Sequence, residues 1–131
     1  MTAPVQTAFV ASAPEDVAGL GGRIAVFLDE KGRLDPMARR LDARARGALR
    51  RLAASDAFAK LKPGEGQTLG FPGGVAAEAI LAVKLPRKAS PGEARRAGAA
   101  VAGFNGTAPL HVVLGGAAHP EEIALGLALR L

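Results

Sequence analysis

The chain lacks several residue types on which catalytic and binding chemistry depends. Among its 131 residues there is no cysteine, tryptophan or tyrosine, and there are only two histidines. The absence of cysteine excludes disulfides, thiolate metal sites and cysteine nucleophiles, and it fits a reducing compartment. A catalytic zinc ion needs three protein ligands, mostly His, Asp and Glu. With only His111 and His119 available, the chain is predicted to hold no catalytic metal.

The histidines and the few hydroxyl side chains have simpler structural explanations. His111 lies inside an apolar run and is predicted to be a hydrogen-bonded core or edge histidine, and His119 precedes a proline at a helix start. No serine or threonine stands near a histidine and an acid in a pattern typical of an activated nucleophile. The sequence therefore predicts that this chain alone is not an enzyme.

Length and the first residues predict one domain without a targeting segment. A chain of 131 residues is long enough for a single core and too short for two. Met1–Pro4 carries no basic segment and no long apolar run follows it, so neither a signal peptide nor a membrane span is predicted. We expect residues 1–131 to form a single cytoplasmic domain with no membrane partner.

Short apolar runs predict the strands of a β-sheet. Ala79–Lys84 and Arg23–Leu28 have no polar side, which is typical of strands that are buried on both faces. Further strands are predicted at Val5–Ala11, Gln67–Phe71 and Leu110–Leu114. A proline and two glycines follow Phe71, and they predict that Gln67–Phe71 pairs with Ala79–Lys84 as in a hairpin.

Three helices are predicted between and after these strands. Capping residues and prolines at the first helical position mark helices over Pro36–Ala54, Ser90–Phe104 and Pro120–Leu131. Strands and helices then follow in the order β, β, α, β, β, α, β, α. This order predicts an α/β fold in which a mixed β-sheet is flanked by helices on both faces.

The outer face of the predicted Pro36–Ala54 helix is rich in arginine, and the net charge of the chain is +5. Such a face could follow a phosphate backbone, but a solvated charged face on a core-packed helix looks the same, and we favour the second interpretation. Without tryptophan or tyrosine to stack on bases, nucleic-acid binding would be weak and salt-sensitive. The candidate contacts are Arg39, Arg40, Arg44, Arg46, Arg50 and Arg51, with Arg87, Lys88, Arg95 and Arg96 as a second cluster.

A strand followed by two glycines and a helix start can present backbone amides to a phosphate group. Gly115 and Gly116 are the best placed glycines for such a site. However, Glu121 and Glu122 occupy the first turn of the following helix, where each would repel a phosphate by a few tenths of a kcal/mol to about 1 kcal/mol. A nucleotide site is therefore not favoured.

The order and spacing of several short segments make a family resemblance specific. The chain resembles the amino-terminal domain of leucyl aminopeptidases, the cytosol aminopeptidase family, over almost its whole length. The segments that carry the resemblance are Ile24–Phe27, the alanine-rich Leu34–Leu52, Asp56–Phe58, Gly66–Thr68, Ala79–Val83 and Ala124–Arg130.

The resemblance implies a macro-domain-like α/β fold that accompanies a carboxy-terminal catalytic domain with two divalent metal ions, zinc or manganese, in a hexamer. Family members remove amino-terminal residues from peptides. The metal-binding signature of that catalytic domain, Asn-Thr-Asp-Ala-Glu-Gly-Arg, does not occur in these residues. This chain also departs from its relatives after the central strand, where Lys84–Lys88 replaces a turn of the type Gly-x-Gly-Lys.

The last helix is predicted to need a cover from outside the domain. Its apolar residues lie on almost every side, and a helix of that kind is normally buried on both faces. Ile123, Leu127 and Leu131 are predicted to face the domain, and Leu125 and Leu129 the catalytic domain or another subunit. What the resemblance implies is a noncatalytic regulatory or assembly domain. A nucleic-acid-binding module is the alternative, and a macro-type ligand-binding domain is a weaker one.

Overall fold

The fold is built on one five-stranded β-sheet. The computed structural model describes residues 7–10, 21–70, 72–104 and 110–130. The strands lie in the order β1-β5-β2-β4-β3, and β3 is antiparallel to β4 whereas the other pairs are parallel. Their bounds are β1 Thr7–Val10, β2 Arg23–Leu28, β3 Gly66–Gly70, β4 Ala79–Lys84 and β5 Leu110–Val113. The predicted hairpin-like pair of β3 and β4 is confirmed.

Helices cover both faces of this sheet, as the sequence predicts for an α/β fold. Their bounds are α1 Pro36–Arg44, α2 Ala48–Ala53, α3 Asp56–Ala59, α4 Pro91–Gly103 and α5 Pro120–Arg130. One face of β2, with Ile24 and Val26, forms a core with α1, α2 and α3. The other face, with Ala25 and Phe27, forms a core with α4 and α5. Successive side chains of β2 point to opposite faces of the sheet, so this strand contributes to two separate cores.

Several local predictions fall at the right residues. Asp35 caps α1, because its Oδ1 accepts a hydrogen bond of 2.8 Å from the amide of Ala38. Ser90 and Glu93 form the predicted capping box at the start of α4. The predicted parts of the first strand beyond Thr7–Val10, together with Phe71 and Leu131, lie outside the described residues.

The prediction of one continuous helix over Pro36–Ala54 is wrong, because the chain turns at Arg46 and Gly47. Both residues have positive φ, 58° and 79°. The amide of Gly47 donates to the carbonyl of Asp42, and the amide of Arg46 donates to the carbonyl of Ala43. This is the Schellman pattern that ends helices, with Arg46 in the left-handed position where glycine is usual. The apolar residues keep a spacing of three and four residues on both sides of this turn. The periodicity alone therefore did not reveal that the helix ends there.

A second difference is the short helix α3, which is not among the three helices predicted from the sequence. The Oγ atom of Ser55 caps this helix by accepting a hydrogen bond of 3.2 Å from the amide of Phe58. The ring of Phe58 is buried in the core on the α1 side of the sheet. Phe58 therefore anchors this helical turn to the core.

Glycine allows α4 and α5 to approach each other closely. A Cβ atom on Gly98 of α4 would collide with the carbonyl oxygen of Ile123 and lie 2.8 Å from the amide nitrogen of Leu127. A Cβ atom on Gly126 of α5 would likewise collide with the carbonyl oxygen of Arg95. The two helix backbones therefore contact each other at two points, and the neighbouring side chains of α4 are small enough to permit this.

We expect Gly98→Ala to destabilise the chain although alanine is the better helix former. The added methyl group would meet rigid backbone atoms, and such overpacking costs about 1–3 kcal/mol. Gly103→Ala is the matched control, because a Cβ atom there has no neighbour within 4 Å among the described residues. This exchange should leave stability unchanged or raise it by up to about 1 kcal/mol. Urea unfolding of both variants measures the difference. Equal stabilities would show that the helices can move apart at no cost.

Candidate functional site

The six arginines that the sequence singled out are all exposed, but they do not share one helix. Arg39, Arg40 and Arg44 lie on α1, Arg46 lies in the turn, and Arg50 and Arg51 lie on α2. Because the turn redirects the chain, the predicted single arginine face is divided between two helices and the turn that joins them. We call this set of six residues the arginine surface.

Two members of the arginine surface have structural partners. The carboxylate of Asp42 is only 1% exposed, and Nη2 of Arg50 lies 3.4 Å from its Oδ2 atom. Oδ1 of Asp42 also accepts a hydrogen bond of 3.1 Å from the amide of Arg50, near the start of α2. Nη1 of Arg51 donates a hydrogen bond of 2.9 Å to the carbonyl of Arg46. Arg50 therefore neutralises a buried acid, and Arg51 braces the turn.

The remaining side chains of the arginine surface are available to an outside partner. Within the residues that the structure describes, the guanidinium groups of Arg39, Arg40, Arg44 and Arg46 have neither a hydrogen bond nor an ion pair. Arg40 and Arg44 are four residues apart on α1, so they are neighbours on its surface. Two adjacent and unpaired guanidinium groups can contact phosphate oxygens without disturbing the fold.

Helix α5 divides its leucines between the core and the surface. Ile123 and Leu127 are buried against α4 and the sheet, as predicted. Leu125 and Leu129 are 42% and 69% exposed. The two exposed leucines are four residues apart and lie on the same side of the helix, where they form an apolar surface that nothing in the described residues covers.

A cleft opens at the edge of the sheet where β2, β4 and β5 end. It has a volume of about 340 Å³. Crevices at the carboxyl ends of strands bind ligands in many α/β proteins, at the point where successive connections leave for opposite faces of the sheet. Here the chain leaves β2 toward α1 on one face and leaves β4 and β5 toward α4 and α5 on the other. We call this the carboxyl-edge cleft. Its walls are Phe27, Leu28, Asp29, Arg33, Leu34, Asp35, Leu85, Arg87, Gly116, Ala117 and Ala118.

Four charged side chains meet in the carboxyl-edge cleft. Oδ1 of Asp29 accepts hydrogen bonds of 2.9 Å from the amides of Lys31 and Arg33. Its Oδ2 atom lies 3.6 Å from Nε of Arg33 and 3.7 Å from Nε of Arg87. These two distances are longer than hydrogen bonds. Asp29 thus holds two guanidinium groups near each other without saturating either.

Asp35 lines the same cleft, beside the glycine loop that was considered above as a phosphate site. Its Oδ2 atom accepts a long hydrogen bond of 3.4 Å from the amide of Gly116. A Cβ atom on Gly115 would collide with the same oxygen. A phosphate group at this loop would meet the Asp35 carboxylate as well as Glu121 and Glu122, so the structure adds a second reason against a nucleotide there.

The sequence did not predict a site formed by Asp29, Arg33, Asp35 and Arg87. A signal was present, because Asp29 directly follows β2 and Arg87 follows β4 by three residues. Once the two strands are known to be adjacent and parallel, their carboxyl ends must share one edge of the sheet. That adjacency was the missing information.

The two histidines have different surroundings. The carbonyl of His119 accepts hydrogen bonds from the amides of Glu122 and Ile123, which places His119 at the start of α5 as predicted. Nδ1 of His111 is buried and has no hydrogen-bond partner in the part of the chain that the structure describes. The prediction of a hydrogen-bonded histidine is therefore wrong for this atom, because β5 places the ring on the sheet face beside Ile24 and Val113.

Lys84 is a buried cation at the end of β4. Its Nζ atom donates hydrogen bonds of 3.2 Å to the carbonyl of Ala59 and 2.9 Å to that of Leu61. It also lies 5.1 Å from the centre of the Phe58 ring, a favourable position for a cation. Lys84 therefore links the end of α3 to the sheet through these hydrogen bonds. Its ammonium group is occupied by them and does not face a ligand site.

The described residues offer neither a metal-binding group nor a membrane-spanning helix. Over residues 7–10, 21–70, 72–104 and 110–130, no three metal-ligating side chains of His, Asp or Glu form a group that could hold a metal ion. The described part of the chain therefore contains no donor set that fits the two divalent ions implied by the resemblance. In the same residues, no helix combines the length and the apolar character needed to cross a membrane.

Comparison with known proteins gives two close relatives. The chain is 42% identical over 130 residues to a protein named "Probable cytosol aminopeptidase" from Cereibacter sphaeroides. It is 40% identical over 130 residues to a protein of the same name from Dinoroseobacter shibae. No protein-family model matches the chain. Each alignment covers 99% of this chain and 27% of the relative, so the chain spans about a quarter of the length of these proteins. The predicted resemblance to the amino-terminal domain of the cytosol aminopeptidase family is thereby confirmed.

Proposed function

We propose that residues 1–131 form the noncatalytic amino-terminal domain of a metal-dependent leucyl aminopeptidase, with a regulatory or assembly role. The observation that carries this proposal is the alignment of 99% of the chain with 27% of two relatives that are named as aminopeptidases. The peptide-cleaving chemistry, with its two zinc or manganese ions, then belongs to a carboxy-terminal catalytic domain. The parent enzyme is a cytoplasmic hexamer in this proposal, and the domain has a macro-like arrangement.

The exposed side of α5 supports an interdomain or intersubunit contact. Leu125 and Leu129 together expose about as much apolar surface as one leucine side chain. Burial of that much surface under another domain would contribute about 2 kcal/mol to association. The close packing of α4 on α5 fixes the position of these leucines, so a partner meets a preformed surface rather than a flexible one.

Reading the coding sequence beyond Leu131 tests the proposal directly. A continuation into a long domain that contains Asn-Thr-Asp-Ala-Glu-Gly-Arg is the expected result, because that signature supplies metal-binding carboxylates in the family. A stop codon directly after Leu131 would contradict the proposal and would favour a binding module.

The 131-residue chain alone is expected to have no aminopeptidase activity and to bind neither zinc nor manganese stoichiometrically. The reason is that two separate histidines and no metal-binding signature give too few ligands for a catalytic site. Hydrolysis of a leucine amide substrate and the metal content after dialysis are the measurements. A tightly bound metal ion that accompanies hydrolysis would refute the noncatalytic assignment.

The same chain is expected to self-associate through the exposed side of α5 when no partner covers it. Light scattering over a concentration series should show association, and the variant Leu125→Lys, Leu129→Lys should reduce it by removing the apolar surface. The control variant is Ala43→Lys, Ala57→Lys, which adds the same charge at exposed alanines of α1 and α3. A strictly monomeric parent chain, unchanged in the leucine variant, would argue against an interface on α5.

The second candidate function is phosphate-driven nucleic-acid binding. It is favoured by one observation, the exposure of Arg39, Arg40, Arg44 and Arg46 without partners among the described residues. Such contacts read the backbone and not the base sequence. The third candidate, a macro-type domain that binds a phosphorylated ligand, has less support because the Asp35 carboxylate already engages the amide of Gly116.

If the arginine surface binds DNA, the binding should be weak, independent of sequence and steeply dependent on salt. Removing two phosphate contacts with Arg40→Glu, Arg44→Glu should lower the slope of log K against log salt by about 1.8, at about 0.9 per contact. Arg50 is a poor choice for this test, because Arg50→Glu would place a second carboxylate beside buried Asp42. The variant Lys60→Glu, Lys62→Glu is the charge-matched control. Fluorescence anisotropy titrations at several salt concentrations measure the binding. Tight, sequence-selective binding would contradict the prediction.

A further inference from the structure

We infer that the carboxyl-edge cleft binds a zwitterionic α-amino acid with an apolar side chain. Its chemistry combines two cations, two anions and an apolar wall in one cleft. The physiological meaning of such a site rests on the proposed function, because free amino acids are the products that an aminopeptidase releases. The binding itself depends only on the residues of this chain.

The charges in the cleft select a ligand that carries both signs. Arg33 and Arg87 balance Asp29 and Asp35, so the cleft has no net charge with which to attract a polyanion or a free cation. The two signs are arranged in different places. The guanidinium groups gather around Oδ2 of Asp29, whereas Oδ2 of Asp35 lies against the glycine loop. A ligand carboxylate therefore fits the arginines, and a ligand ammonium group fits Asp35.

The groups that would contact the ligand are incompletely engaged. Asp35 uses Oδ1 for the cap of α1, in a hydrogen bond of 2.8 Å, but Oδ2 has only the long 3.4 Å contact with the amide of Gly116. An ammonium group can take that oxygen without breaking the cap. The side chains of Arg33 and Arg87 are 54% and 74% exposed. Their terminal nitrogens have no partner in the described residues, so they can form the paired hydrogen bonds that arginine makes to carboxylates.

The remaining walls of the cleft suit an apolar side chain of modest size. Phe27, Leu34 and Leu85 line it together with Ala117 and Ala118. Its volume of about 340 Å³ lies at the lower end of the range for small-molecule sites, about 300–1,000 Å³. A cleft of that size, with a few convergent polar groups on an apolar wall, matches the usual design of such a site.

Titration calorimetry with L-leucine and the 131-residue chain tests this inference. We expect one saturable site with a dissociation constant on the order of 1 mM or below. L-Leucinamide lacks the carboxylate and 4-methylpentanoate lacks the ammonium group, so each should bind at least about ten-fold more weakly, the effect of losing one charge-assisted interaction. Equal binding of either analogue, or no saturable binding of L-leucine, would overturn the inference.

Variants and amide chemical shifts locate the binding. Arg87→Gln should weaken L-leucine binding at least about ten-fold, because it removes one of two carboxylate contacts, whereas Arg39→Gln on the arginine surface should not change it. Circular dichroism establishes that both variants fold. Amide shifts on leucine addition should concentrate at Gly116 and Arg87, and shifts confined to other residues would place the ligand elsewhere and refute the site.

Inorganic phosphate serves as the competing probe. Phosphate that displaces L-leucine and binds more tightly would mean that the cleft recognises anions alone, which contradicts a zwitterion site. Failure of leucine binding leaves the domain assignment intact, since the coding sequence beyond Leu131 tests that assignment separately. If the chain binds leucine but no catalytic domain follows it, the amino-acid site in the cleft is supported and the assignment as an aminopeptidase domain is refuted. The two failures can therefore be told apart.

Discussion

The parallel pairing of β2 with β4 is the constraint on which the rest of the structure depends. The two strands are in register from Arg23 opposite Ala79 to Leu28 opposite Lys84. Almost every side chain along both strands is buried, so each strand contributes to the core on both faces of the sheet. The register continues past the strands, where the amide of Leu85 donates a hydrogen bond of 2.7 Å to the carbonyl of Leu28. Both cores and the carboxyl-edge cleft are therefore positioned by this one pair.

Polar residues appear where this pair ends, and each is stabilised in a different way. Asp29 is nearly buried and is held by two backbone amides and two arginines. Lys84 is also buried, but carbonyl oxygens and the Phe58 ring hold it rather than a carboxylate. A buried charge is costly unless hydrogen bonds satisfy it. Of these two buried charges, Asp29 has partners that reach the surface, because the side chains of Arg33 and Arg87 are exposed.

The outer surfaces follow from how tightly the helices pack. Small residues let α4 and α5 approach until their backbones touch at Gly98 and Gly126, so α5 can bury only one side on its own domain. Its other side keeps Leu125 and Leu129 at the surface. On the opposite face of the sheet, α1 and α2 bury their apolar residues and leave the arginine surface in solvent. The described residues thus present an apolar surface on one side of the sheet and a basic surface on the other.

The sequence alone predicted the elements whose signals are local. A short run without polar side chains indicated buried strands at β2 and β4, the capping residues Asp35 and Ser90 marked helix starts, and the surplus of leucines on α5 indicated an uncovered side. The family resemblance likewise depended only on the order and spacing of short segments. These features need no knowledge of what lies next to them in space, because they arise from side-chain periodicity and from bonds within a few residues.

Tertiary structure decided whatever depends on neighbours that are distant in the chain. The turn at Arg46 and Gly47 is compatible with the apolar period of one helix, and only the packed structure shows that the chain changes direction there. Nδ1 of His111 has no partner within the described residues, because β5 sets the ring beside Ile24 on the sheet. The carboxyl-edge cleft joins Asp29 to Arg87, residues 58 positions apart, through the parallel pairing of their strands. Local sequence specifies the elements, whereas the pairing of strands decides which charges meet.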